Sequence, residues 1–271
     1  MIVVTGATGN VGRELVRTLA SSGEQVRAVS RRPEQTHEGV RHWQADLAEP
    51  ASLRPVLEGA DALFLLVAGD DPQAILDQAK TGGVGRVVLL STQGAGTRPE
   101  TYRHPVVFED AVRRSGLDWT ILRPGGFASN AYAWAGSVRA ERTAAAPFGD
   151  VGLPAIDPAD IAAVAAATLR EAGHAGRVHE LTGPAPVTPR ERVRAIADAL
   201  GTPVRFVEQT REEARARMLE FMPEPVVEGT LAILGEPTAA EQKVSPAVEH
   251  ILGRAPRTFA DWAERNIAAF R

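Results

Sequence analysis

Met1-Ile2-Val3-Val4-Thr5, then Gly6-Ala7-Thr8-Gly9-Asn10-Val11-Gly12, opens the chain, and this stretch decides the fold. An apolar strand runs into a glycine turn. An amphipathic segment follows with Val11, Leu15 and Leu19 on one face, and Gly23 closes it. A second strand reads at Gln25-Val26-Arg27-Ala28-Val29-Ser30, which completes a βαβ unit. Each glycine has a mechanical task at this spacing. Gly6 permits the tight turn, Gly9 lets the backbone approach a pyrophosphate, and Gly12 lets the helix pack on the strand. The N–H groups at the helix start and the positive end of its dipole then face the anion. The stretch predicts a dinucleotide site.

Working outward, strand and helix patterns alternate to about residue 123. Strands read near Val40–Ala45, at Ala62–Val67, at Arg86–Ser91 and at Asp118–Leu122, with helices from Pro50, over Pro72–Gly82 and over Pro105–Ser115. Short apolar strands separated by helices predict an α/β fold, a Rossmann-type doubly wound parallel sheet with its ligand crevice at the strands' carboxyl ends. From residue 124 the alternation weakens. Helices are expected over Ser129–Arg139, Pro158–Ala172, Pro189–Leu200, Arg211–Met222, Ser245–Leu252 and Thr258–Phe270, with strands at Arg177–Leu181 and Val204–Val207. The expected division is a dinucleotide-binding core at 1–123 and a smaller, mainly helical substrate lobe at 124–271.

The composition narrows the function. Hydrophobic residues make up 44% and charged residues 24% of the 271, a globular balance. Thirty basic against 34 acidic residues give a net charge of −4, and no basic run predicts a nucleic-acid partner. Without cysteine there is no disulfide, thiolate metal site or thiol nucleophile. The first strand starts at residue 2, leaving no room for a signal peptide, and the apolar runs Ala62–Gly69 and Ile161–Leu169 are far below the ~18 residues of a membrane span. A cytoplasmic protein with no membrane partner is expected; whether it forms a homo-oligomer is not readable.

Beyond the glycine turn, the second strand ends in Ser30-Arg31-Arg32-Pro33. An NAD-preferring fold places an acid here for the ribose 2′-hydroxyl, whereas an arginine fork grips a 2′-phosphate. Arg31 and Arg32 therefore predict NADP(H), against the plainer reading of two solvated arginines before a proline turn. Asp46-Leu47 ends the third strand; with Pro50 suited to the first helical position the cap falls to Glu49, which leaves Asp46 to accept from the adenine amino group. Asp157-Pro158-Ala159-Asp160 reads as a helix start, with Asp157 as cap. The six histidines show no metal-ligand spacing, so no metal is expected, and Met218, Phe221 and Met222 read as ordinary core.

The glycine turn, the strand end Ser30–Pro33, the run Ser115-Gly116-Leu117-Asp118-Trp119-Thr120-Ile121-Leu122-Arg123-Pro124-Gly125-Gly126-Phe127, and Asp157-Pro158-Ala159-Asp160-Ile161-Ala162 together resemble the NmrA-like atypical short-chain dehydrogenase/reductases. Enzymatic members of that family include quinone oxidoreductase type 2 and triphenylmethane reductase. The resemblance implies that Ser91, Thr92 and Gln93 sit near the nicotinamide and that Pro124, Gly125, Gly126 and Phe127 form the wall beneath it. Val67 and Ala68, at the end of the fourth strand, complete the expected cofactor contacts.

The chain departs from the wider superfamily in its chemistry. Standard members pair a tyrosine with a lysine four residues on, so that the ammonium lowers the phenol's pKa. Here Tyr102 is followed at that spacing by Val106 and Tyr132 by Gly136, and Lys80 and Lys243 are the only lysines. Relatives lacking the pair often carry a histidine four residues before the glutamate that matches Glu109; that position is Pro105, with His104 one residue earlier. His104 and Tyr102 are the candidate proton donors. The expected function is NADPH-dependent reduction of small conjugated electron-poor substrates such as quinones, which delocalise the arriving charge. The alternative is an NADP(H)-binding regulator of the NmrA type with no turnover.

Overall fold

The computed structural model describes residues 1–32 and 40–271, so Pro33 of the strand-end motif and His37 lie outside the described residues. Among the described residues nine strands run in chain order: β1 Ile2–Thr5, β2 Val26–Ser30, β3 Val40–Gln44, β4 Ala62–Leu66, β5 Arg86–Leu90, β6 Asp118–Pro124, β7 Thr143–Ala146, β8 Arg177–Leu181 and β9 Arg205–Glu208. Seven form one sheet in the order β3-β2-β1-β4-β5-β6-β8, and β7 pairs with β9 alone. Strands β1 to β6 pair in parallel, for example Val3 opposite Arg27 and Leu63, and Leu90 opposite Leu122. Val3, Val4, Phe64, Leu65, Val87, Val88 and Leu89 are fully buried, as a sheet covered on both faces requires. The chain steps outward one way from β1 to β3 and the other way from β4 to β6. The reversal between β1 and β4 is the switch point at which such sheets take their ligands. The doubly wound fold expected from the sequence is present.

Two compact units divide the chain: Met1–Pro124 with Pro158–Glu180 and His250–Gly253, and Gly125–Asp157 with Leu181–Glu249 and Arg254–Arg271. In the first, the helix Pro72–Gly82 is capped as its sequence predicts. Asp71 accepts from the Ala74 amide at 2.9 Å, Pro72 starts the first turn, and Gly83 closes it at φ +98°. The helix Pro158–Arg170 packs on Asn10–Ser21 and is buried almost all round, with Ile161, Val164 and Leu169 enclosed. Among the described residues no helix is long and apolar enough to cross a membrane. The helix expected from Pro105 begins at Arg103 instead. Proline has no amide hydrogen to lose in a first turn, so Pro105 stops the pattern from being read earlier without stopping the helix.

The second unit has its own core, in which Ala128, Val138, Val193, Ile196, Phe259, Trp262 and Phe270 cluster. The Trp262 ring meets Tyr132 and Phe270 edge-on at 5.1 and 6.2 Å. A smaller cluster of Ala214, Val227 and Leu231 takes in Met218 and Met222, but Phe221 is 69% exposed and is not core. Thr188, Thr210, Thr238 and Thr258 each close a capping box.

β8 carries a histidine with a pH consequence. Among the described residues His179 Nε2 finds no hydrogen-bond partner, and the ring meets His174 edge-on at 5.6 Å. Burial, then the nearby His174 and Arg177 charges, push its pKa below the ordinary value. The unfolded chain therefore binds this proton first as pH falls, and stability is lost from about pH 6.5 downward until the folded ring also protonates. Urea midpoints measured at pH 7.5 and 5.5 are expected to separate less in His179→Gln than in the wild type.

Candidate cofactor site

The carboxyl ends of β1 to β6 bring together most of the residues that the sequence singles out. β1 ends at Thr5, whose buried hydroxyl donates to the Phe64 carbonyl at 2.9 Å and accepts from the Leu66 amide at 3.0 Å. The side chain thus ties β1 to β4 where the strands begin to part. The glycine turn follows. Gly6 has φ +62°, and a Cβ there would lie 2.0 Å from Leu66 Cδ1. A Cβ on Gly12 would lie 2.1 Å from the Gly6 carbonyl oxygen, so helix and turn touch backbone to backbone. A Cβ on Gly9 would meet only the Gly6 oxygen, at 3.3 Å.

Gly9 occupies the N-cap position of Asn10–Ser21 in extended backbone and, having no side chain, makes no capping bond of its own. A helix N-terminus with a bare residue at the cap is an arrangement that suits an anion. At the end of β2, the Ser30 hydroxyl donates to the Arg32 carbonyl at 2.7 Å and holds the turn on which Arg31 and Arg32 stand exposed. Among the described residues Thr8, Arg31 and Arg32 line a recess of about 490 Å³. A pyrophosphate on the helix N-terminus and a phosphate on the arginines fit this chemistry, because the helix start offers amide donors and the recess offers the Arg31 and Arg32 guanidinium groups.

Asp46 follows β3, half-buried. Its Oδ1 accepts from the Ala48 amide at 3.0 Å, and its own backbone is held by the Ser52 hydroxyl. The carboxylate therefore spends one oxygen on its own turn. Leu47 is 9% exposed, and its carbonyl lies where a Cβ on Gly69 would come within 2.3 Å. Gly69 (φ +79°) brings the half-buried end of β4, Val67 and Ala68, against the end of β3. This close approach escapes sequence reading, because one glycine after a strand does not announce its contact.

At the end of β5, Ser91 and Gln93 are buried and Thr92 is half-buried. The Ser91 and Gln93 amides donate to the Leu122 and Pro124 carbonyls, so the β5–β6 pairing continues past both strands. Beneath lies a buried cluster that the sequence did not announce. Glu109, 1% exposed, accepts at Oε1 from Ser91 Oγ (2.7 Å) and Arg123 Nε (2.8 Å). Its Oε2 accepts from Arg123 Nη2 (2.6 Å) and Arg113 Nη2 (2.8 Å). Burial alone would raise the carboxyl pKa, but the Arg123 and Ser91 bonds, the Arg123 charge and the Arg113 bond together hold it below the ordinary range. Glu109 in turn raises that of Arg123.

The two candidate proton donors lie in the same unit. The Tyr102 ring packs on Gly94, where a Cβ would come within 2.6 Å of it. His104 is exposed, meets Phe108 edge-on at 5.1 Å, and places Nε2 2.7 Å from the Gly69 carbonyl oxygen. A carbonyl only accepts, so Nε2 carries the proton and gives it to Gly69. Lys80 pairs with Asp77 at 2.9 Å on its own helix. Of the expected wall, Pro124 belongs to the first unit and Gly125, Gly126 and Phe127 to the second. Asp157, read as a helix cap, is 2% exposed and its Oδ2 bonds Arg265. Among the described residues no group of three metal-ligating side chains gathers.

Known proteins resemble this chain in sequence and fold. The profile of the NAD(P)H-binding family covers residues 6–172. The whole chain is 37% identical to a (4-alkanoyl-5-oxo-2,5-dihydrofuran-3-yl)methyl phosphate reductase of Streptomyces griseus, of which it covers 99%. Against an NAD(P)H azoreductase of Xenophilus azovorans the identity is 33%, again over all of this chain and 99% of the relative. The NADPH complex of the quinone oxidoreductase QOR2 of Escherichia coli shares the fold, with a TM-score of 0.81 at 24% identity over 98% of this chain and 99% of that one.

Proposed function

The chain belongs to the NAD(P)H-binding family, and from that premise we propose that it is an NADPH-dependent reductase of small, conjugated, electron-poor molecules of the quinone kind. The observation that carries this reading is full-length similarity to two reductases whose names describe such acceptors: an unsaturated lactone conjugated to carbonyls, and an azo bond. The bound dinucleotide supplies a hydride at nicotinamide C4. The chain supplies position: the glycine turn takes the pyrophosphate, Arg31 and Arg32 take the 2′-phosphate, and the ends of β4 and β5 receive the other half.

Proton transfer is where this chain has least to offer. Tyr102 has no lysine at the activating spacing, and the Nε2 proton of His104 already serves Gly69. An acceptor that spreads the arriving charge over a conjugated system tolerates this, because solvent can protonate it afterwards. An unconjugated ketone does not, since its alkoxide needs an acid as it forms. His104→Ala and Tyr102→Phe are each expected to slow single-turnover NADPH oxidation by a quinone by less than the ~10²-fold that loss of a positioned acid costs. A near-complete loss in either variant, with NADPH binding intact, would mean a dedicated acid and would overturn the weak-donor chemistry.

A further inference from the structure

The Glu109 cluster has more donors than a structural ion pair needs. Arg123 presents a full fork, Arg113 adds a third bond, and Ser91 reaches down from the end of β5 to supply the fourth. The four bonds fill the four acceptor positions of a carboxylate. An ionised carboxylate has no proton to give, so the Ser91 hydroxyl must be the donor in its 2.7 Å bond to Oε1. With its one hydrogen committed, Ser91 Oγ has only lone pairs to offer anything else. Ser91 keeps 8% of its surface exposed, beside Thr92 at the carboxyl edge of the sheet.

The sheet order bears on which half of a dinucleotide comes to this end of β5. The arginine recess at the end of β2 draws the 2′-phosphate half of the dinucleotide toward β2 and β3. The pyrophosphate sits at the β1 turn, so the nicotinamide half extends across the switch point toward β4 and β5. The nicotinamide ring carries one group with N–H donors, its carboxamide.

We propose that Glu109 is a positioning residue that fixes the Ser91 hydroxyl as an acceptor, and that Ser91 Oγ recognises the carboxamide N–H of the nicotinamide. The inference rests on the cofactor placement used above and not on the identity of the substrate. The serine is thereby an orienting group for the cofactor rather than a proton donor to a substrate carbonyl.

The test compares NADPH with its 3-acetylpyridine analogue, in which a methyl ketone replaces the carboxamide and removes both N–H donors. Dissociation constants are read from the fluorescence of the bound reduced ring, with no acceptor present. The wild type is expected to prefer NADPH by about fivefold to tenfold, the worth of one net hydrogen bond. Ser91→Ala removes only the hydroxyl and leaves the Arg123 fork on Glu109, and is expected to bring the ratio close to one. Glu109→Gln is expected to do the same, because a side-chain amide can donate to Oγ and turn the hydroxyl hydrogen outward. A merely structural perturbation weakens both ligands together and leaves the ratio unmoved. The full wild-type ratio in Ser91→Ala would overturn the assignment, whether or not Glu109→Gln folds; the full ratio in folded Glu109→Gln would overturn the part given to Glu109. Because no acceptor is present, failure of the reductase reading leaves the ratio standing, and loss of the ratio leaves turnover standing.

Discussion

Gly9→Val is expected to abolish NADPH binding in a protein that stays folded. The three glycines of the turn differ in what a side chain would strike. At Gly6 it would meet Leu66 in a left-handed backbone, and at Gly12 the Gly6 carbonyl, so substitutions at either position damage the turn itself. At Gly9 the backbone is extended and a Cβ would stand 3.3 Å from the Gly6 carbonyl oxygen, a tight contact that the turn relieves by giving a few tenths of an ångström, far milder than the 2.0 and 2.1 Å at Gly6 and Gly12. A bound ligand cannot give way in the same manner. The branched side chain would stand over the start of the helix, where a pyrophosphate must come within hydrogen-bond distance of the backbone. Circular dichroism and an NADPH titration on the same sample check both halves of the claim. Undiminished binding would make the turn a purely structural device.

The second large effect concerns cofactor choice. Arg31 and Arg32 stand where an NAD-preferring site would hold an acid, and the Ser30–Arg32 bond fixes their turn. The wild type is expected to bind NADPH more tightly than NADH, and replacing both arginines with alanine should erase most of the difference. Each charge-assisted bond to a phosphate lies near the low end of about 1.5–3 kcal/mol, because both side chains are exposed to water and salt. Two such contacts make about 10²-fold in affinity. NADH binding should hardly change in the double variant. Equal dissociation constants for the two cofactors in the wild type would remove the arginines from the site.

How far these features were legible depended on whether their causes are local. The helices Pro72–Gly82 and Pro189–Leu200 match their expected limits, because Asp71 and Thr188 cap them, proline starts them and glycine follows. The strand Arg177–Leu181 also falls where it was expected. β7 was not. Thr143-Ala144-Ala145-Ala146 has strong helix formers, and only pairing with β9, some sixty residues on, makes it a strand. The helix Glu224–Gly235 was hidden by Pro223 and Pro225, which suggest a break although the first turn of a helix accepts proline. In the site, the glycine turn and the arginine pair announced themselves. The Ser91–Glu109–Arg123–Arg113 cluster and the approach of Gly69 to Leu47 did not, since each joins residues from separate βα units.

The most direct test of the account is the loss of NADPH absorbance when the purified protein meets a panel of quinones, azo dyes and unconjugated ketones. NADPH is predicted to be consumed in proportion to the conjugated acceptor reduced, and to be spared by the simple ketones. No consumption with any acceptor, by a protein that binds NADPH tightly, would contradict the reductase reading and leave a cofactor-binding regulator in its place.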